Sequence, residues 1–132
     1  MILSRIILKN WRNFRRVDVE LGDRVILVGP NASGKSNFLD AIRFMRDIVK
    51  AGGGLQSAIA TRGGLTKIRC LAARQDPEVE LEFHFSQEPG QPWKWKYIIG
   101  IIQESTGQHL HLIKREEVWS AEFDRPILKR PT

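Results

Sequence analysis

Gly29-Pro30-Asn31-Ala32-Ser33-Gly34-Lys35-Ser36 sets two glycines, a lysine and a hydroxyl at the spacing G-x-x-x-x-G-K-[ST], filled at every fixed position. Glycines let a backbone curl until successive N–H groups point inward, a concavity suited to anionic oxygens. A lysine at the seventh position brings a cation to the β and γ phosphates of a nucleoside triphosphate, and the hydroxyl at the eighth can ligate Mg²⁺. The chemistry is therefore a grip on ATP and Mg²⁺. Its candidate residues are Gly29, Asn31, Ala32, Ser33, Gly34, Lys35 and Ser36, with Ser36 as the metal ligand.

Such a loop works when a buried strand feeds it and a helix N-terminus follows, because the helix adds its positive dipole end to the amide cradle. Residues 25–28, a continuous Val-Ile-Leu-Val run, read as that strand. From about residue 34 to 50, Phe38, Ile42, Met45 and Val49 recur at helical spacing until Gly52-Gly53-Gly54 stops the pattern. Two shorter strands are expected earlier, over residues 2–9 and 17–21. Beyond the glycines, Val79, Leu81, Phe83 and Phe85 alternate with polar residues, predicting a strand with one wet face. Two more are expected over residues 93–103 and 109–120, giving an antiparallel meander that ends in a Pro-flanked tail without a motif, residues 128–132.

Length and composition fit this scheme. With 132 residues, 42% hydrophobic, the chain reads as a single domain with a real core, and no apolar run approaches a membrane span. Cys70 is the sole cysteine, so no internal disulfide forms, and a lone thiol suits a reducing compartment; the cytoplasm is the expected location. The formal charge of +6 is unevenly placed. Arg5, Lys9, Arg12, Arg15 and Arg16 share the first 16 residues with no acid, and Arg62, Lys67, Arg69 and Arg74 do the same over residues 51–75. Such patches attract polyphosphate or nucleic acid, though each reads equally as a solvated basic face.

Other constellations carry less. His109 and His111 share a strand face, but no third ligand completes a metal site. Trp93, Trp95 and Tyr97 alternate with Lys94 and Lys96, an arrangement that places aromatics on one face and cations on the other. This could stack single-stranded nucleic acid, yet an amphipathic strand with its rings under the sheet accounts for it better. Glu116 and Glu117 are neighbours on a strand and point to opposite faces, which dismisses them as a paired acid and base.

The stretches LKNWRNFRR, VDVEL, VILVGPNASGKSNFLDAI and RFMRDI resemble the opening of ABC-type ATPases of the SMC and RecF kind. They also resemble the AAA-type ATPases of bacterial defence systems and of overcoming-lysogenization-defect nucleases. The resemblance is close over residues 1–50 and looser over 60–120. It implies an α/β fold, the N-terminal lobe of an ABC-type P-loop NTPase carrying an antiparallel β-meander. It also implies that the turn at Asn10-Trp11-Arg12-Asn13 lies beside the nucleotide, which adds Arg12 and Asn13 to the binding residues, and it adds Asn37, which follows Ser36 where the family has a small polar residue. On residue type alone Arg12 is equally a surface charge. Ala32 stands where glycine is commoner in that family, a departure that a negative φ accommodates. Residues 60–65, around Arg62, weakly resemble a basic loop that in the family sometimes touches DNA or a partner, and read better as an ordinary turn.

The family hydrolyses ATP with a Walker B strand ending in Asp-Glu, a signature helix near Ser-Gly-Gly, a glutamine loop and a switch histidine. None is found: residues 98–104, Ile-Ile-Gly-Ile-Ile-Gln-Glu, lack the metal-binding aspartate. The resemblance therefore implies the phosphate-binding part of a larger or split ATPase, with ATP-dependent engagement of a second copy or of a missing C-terminal half, and DNA as a further partner. No catalytic residue is assigned and no membrane association is expected. The rival reading is a nucleotide-switched module that binds nucleic acid or an effector without hydrolysis. A metabolite kinase is a third, disfavoured because helices rather than a meander would follow the loop.

Overall fold

The computed structural model describes residues 1–22, 35–49, 54–68, 78–103 and 111–130. Among the described residues, six strands form one sheet in the order β2-β1-β3-β4-β5-β6, every neighbouring pair antiparallel, with three helices in the crossover from β2 to β3. The strands are β1 (Ile2–Trp11), β2 (Phe14–Glu20), β3 (Val79–Ser86), β4 (Trp93–Gln103), β5 (His111–Ser120) and β6 (Pro126–Arg130). The helices are α1 (Lys35–Val49), α2 (Leu55–Ala60) and α3 (Leu65–Ile68). The expected strand at residues 25–28 and the loop at residues 29–34 lie outside the described residues, as do His109 and Glu104.

Alternation sorts the sheet into two faces. Ile6 and Leu8 of β1, Val79, Leu81 and Phe83 of β3, and Ile99 and Ile101 of β4 are buried together with Phe38, Ala41 and Phe44 of α1. Their polar neighbours form the opposite face, where Arg5 makes a two-point ion pair with Asp18 at 2.7 and 2.6 Å and Arg115 bonds Glu117. The helix face is what makes α1 stable in place: a 15-residue helix of this composition gains most of its stability from its docked apolar stripe. Docking is incomplete along one side. Leu39, Ile42 and Val49 remain exposed, and a cavity of about 420 Å³ opens between Leu3, Ile42, Met45, Val49, Phe83, Phe85 and Tyr97.

The first hairpin is longer than its alternation predicts, because β1 and β2 pair up to Trp11 and Phe14 across the two-residue turn Arg12-Asn13. Asn10 and Arg12 both take left-handed backbone, φ 57° and 55°. Asn10 thereby breaks the alternation, and Trp11 turns to the helix face, fully buried with its ring 5.1 Å from Phe44. Asparagine tolerates this conformation, and here its Nδ2 donates to the Glu78 carbonyl at 2.8 Å.

Three further differences have physical reasons. Residues 55–68, to which helical spacing and alternation assign no element, fold as two short helices. The turn between them uses Gly63 and Gly64 at φ 87° and 100°, their N–H groups capping the Ala60 and Ile59 carbonyls. The expected tail, residues 128–132, begins inside β6, an exposed edge strand whose residues do not alternate; Val118 faces Leu128, and Glu116 bonds Arg130. A register shift between Phe85 and Ser86 in the β3/β4 ladder moves Trp93 out of line with Trp95 and Tyr97. Lys96 Nζ then lies 4.8 Å from the ring centres of both Trp93 and Trp119, so the predicted separation of aromatics from cations fails at Trp93.

Candidate functional site

Helix α1 starts at Lys35, and the residues immediately before it and the Lys35 side chain lie outside the described residues. Ser36 is exposed in the first turn, which carries no acidic residue to oppose an anion. A helix of this length presents unpaired N–H groups and a partial positive charge at that end.

The β1–β2 turn is fastened to this end of α1. Trp11 Nε1 donates to the Asn37 carbonyl at 2.7 Å, and Asn37 Nδ2 donates to Asn13 Oδ1 at 3.0 Å. The Arg12 N–H donates to the Ile68 carbonyl at 2.5 Å, and its Nη2 reaches Asp40 Oδ2 at 2.8 Å. Asp40 stands four residues after Ser36, on the same side of the helix. Arg12, Asn13, Ser36 and Asn37, four residues singled out in the sequence, are thus gathered around the start of α1. Gly29, Asn31, Ala32, Ser33 and Gly34 lie outside the described residues.

Asp40 also takes a second guanidinium. Arg62 Nε and Nη2 donate to its two oxygens, each at 3.1 Å, while Nη2 pairs with Asp47 at 3.0 Å and Nη1 donates to the Ala58 carbonyl at 2.9 Å. The Arg62 side chain is 9% exposed and lies over the Phe44 ring at 5.1 Å, so the outward basic loop suggested by the sequence is an internal tie. Partial burial pushes the Asp40 carboxyl up, but hydrogen bonds from Arg62 and Arg12 outweigh it and hold the group below the ordinary carboxylate range. Burial likewise disfavours charge on Arg62, and Asp40 and Asp47 more than restore it.

Asp40 and the indole of Trp11 escaped the sequence reading. One signal was present, since Asp40 and Asp47, seven residues apart, share a helix face and together call for a cationic partner. Among the described residues, no group of three His, Cys, Asp or Glu side chains could hold a metal, and no helix is long and apolar enough to cross a membrane. Glu116 and Glu117 point to opposite faces as expected, the former to Tyr97 and Arg130, the latter to Arg115 and Trp119.

Residues 24–131 match the family described as "AAA domain, putative AbiEii toxin, Type IV TA system". The chain is also similar to Endonuclease GajA of Bacillus cereus (strain VD045), 45% identical over 47 residues, which are 36% of this chain and 8% of that protein. It is similar to the DNA replication and repair protein RecF of Proteus mirabilis (strain HI4320), 49% identical over 43 residues, 32% of this chain and 12% of RecF. RecF of Bacillus thuringiensis (strain Al Hakam) is 42% identical over 43 residues, with the same shares. The matches therefore span about a tenth of the length of these relatives. An α/β architecture, a family match over most of the chain and similarity to RecF and GajA agree with one another: the chain belongs to this AAA-domain family of P-loop ATPases, within which it is SMC/RecF-like.

Proposed function

We propose that the chain binds ATP with Mg²⁺ as the N-terminal lobe of an SMC/RecF-like, ABC-type ATPase, folding as a single domain over residues 1–132. Gly29, Asn31, Ala32, Ser33 and Gly34 would wrap the phosphates, Lys35 would neutralise the β and γ groups, and Ser36 would ligate the cation. Arg12 and Asn13 would approach from the β1–β2 turn, with Asn37 holding that turn in register. The observation that carries this reading is the docking of the turn on the first turn of α1 through Trp11, Asn13 and Asn37. When bound, the metal would screen phosphate charge; the residues of this chain bind and orient.

Hydrolysis would require groups beyond these 132 residues, supplied by a C-terminal half or a second copy. The exposed Leu39 and Val49 of α1 and the adjoining apolar cavity support a larger assembly, because they offer a packing surface to such a half. Calorimetric titration tests the assignment: Lys35→Ala should lose most ATP affinity while keeping the wild-type circular dichroism and Tm. Unchanged affinity in the folded variant would refute it.

A nucleotide-switched nucleic-acid module is the second reading. It is favoured by Arg15 and Arg16, exposed on the edge strand β2, and by the DNA role in the name of the RecF relatives. Its signature is duplex or single-stranded DNA binding that depends on ATP and weakens steeply with salt.

A further inference from the structure

We propose that Asp40 is a positioning residue for Arg12, holding its guanidinium beside the start of α1 where a bound triphosphate would meet it. This deepens the nucleotide-binding reading and rests on it. The argument begins with how differently the two arginines on Asp40 are held. Arg62 is fixed by Asp40, Asp47, the Ala58 carbonyl and the face of Phe44, and its side chain is 9% exposed. Its forked contact uses both oxygens of Asp40 and so sets the plane of the carboxylate. Arg12 donates through Nη2 to Oδ2 of that carboxylate at 2.8 Å and lies 5.7 Å from the centre of the Trp11 ring, and its side chain is 23% exposed. One cation is thus built into the core and orients the acid; the other lies at the rim, oriented by the acid.

The backbone fixes where that arginine starts. Arg12 sits at φ 55°, the left-handed conformation that the first position of a two-residue hairpin turn requires. Its own N–H on the Ile68 carbonyl and the ties of Trp11 and Asn13 to Asn37 hold that turn against α1. Asp40 then limits the rotamers of the presented arginine, reducing the entropy lost when it engages an anion.

The sign of the effect separates this role from simple charge repulsion. An acid near a triphosphate repels it, so on electrostatics alone Asp40→Asn should tighten ATP binding. Positioning requires the reverse. ATP titration by calorimetry on the chain, on Arg12→Ala, on Asp40→Asn and on the double variant should show Asp40→Asn weakening ATP by roughly tenfold, the scale of one charge-assisted hydrogen bond. Adding Asp40→Asn to Arg12→Ala should cost nothing more. A merely structural role would instead lower affinity equally in both backgrounds. Tighter, unchanged or additive effects overturn the proposal while leaving the nucleotide-binding reading in place; failure of the unsubstituted chain to bind ATP overturns both. If loss of the charge beside Arg62 unfolds Asp40→Asn, Asp40→Glu retains that charge while moving the carboxylate. The same cycle run with Asp40→Glu must again be non-additive.

Discussion

Tyr97 is the sole tyrosine, and its hydroxyl donates to Glu116 Oε2 at 2.5 Å. Burial first, and then the neighbouring carboxylate, push the phenol well above its ordinary value of 10.0, because ionisation would place a second negative charge in a half-buried site. A raised phenol pKa adds stability that is complete below 10.0 and is lost as pH rises toward the folded-state value. Tyrosinate absorbance should therefore stay flat through pH 10 and rise only together with alkaline loss of sheet signal by circular dichroism. A separate titration of Tyr97 in the folded chain would contradict the burial argument. At this scale the sequence speaks where one motif proposes one role, as at Lys35 and Ser36. It was silent where a role depends on a distant partner: Asp40 gains its meaning from Arg12 and Arg62, which lie 28 and 22 residues away along the chain. Trp93 misled for a similar reason, because a bulge in the ladder changes its face and alternation cannot foresee a bulge.

The hairpin of β1 and β2 and the helix α1 act as one clamp, and Trp11 is its pin. The indole combines full burial against Phe44 with a hydrogen bond to the Asn37 carbonyl. Trp11→Phe keeps most of the packing but leaves that contact unmade, a loss of about 1 to 2 kcal/mol. For a domain of this size, that should appear as a fall of roughly 3 to 10 °C in Tm. The same variant should weaken ATP binding more than its stability loss explains, since the turn bearing Arg12 loses one of its ties. Equal stability in wild type and Trp11→Phe would show that the hydrogen bond is not part of the clamp. Elements with strong periodicity were readable: α1 was expected over residues 34–50 and runs Lys35–Val49, and β4 matches residue for residue at Trp93–Gln103. Helices α2 and α3 were not, because six- and four-residue helices have too little sequence to show a period and rest on Gly63, Gly64 and the docked Arg62 instead.

Across the whole molecule, one sheet carries two unlike tasks. Its β2 and β1 end holds the turn that meets α1, and its far end, β5 and β6, is closed by side-chain ion pairs such as that of Arg130 with Glu116. Arg130→Ala should therefore lower Tm slightly, by the equivalent of about 1 kcal/mol for a pair whose arginine is largely exposed and whose glutamate keeps the Tyr97 hydroxyl as a partner, while ATP affinity holds. Arg12→Ala should do the opposite and reduce affinity more than Tm. The same small affinity change in both would detach the β1–β2 turn from the nucleotide. Edge strand β6 was unreadable in the sequence because both its faces are wet and no apolar alternation marks it. The order of the sheet also bears on how the chain comes into being. Strand β1 has β3 as its inner neighbour, and the contact of Ser86 with Ser4 joins residues 82 positions apart. A ribosome adding 5 to 20 residues per second delivers the second of these roughly 4 to 16 s after the first. Until then the emerging hairpin is a two-stranded ribbon, marginal alone in water, with Ile6, Leu8, Val17 and Val19 lacking their cover. Lys9, Arg15 and Arg16, on the same ribbon, give every nascent copy a like charge, so neighbouring chains on one polysome repel during the interval in which they would otherwise pair edge to edge.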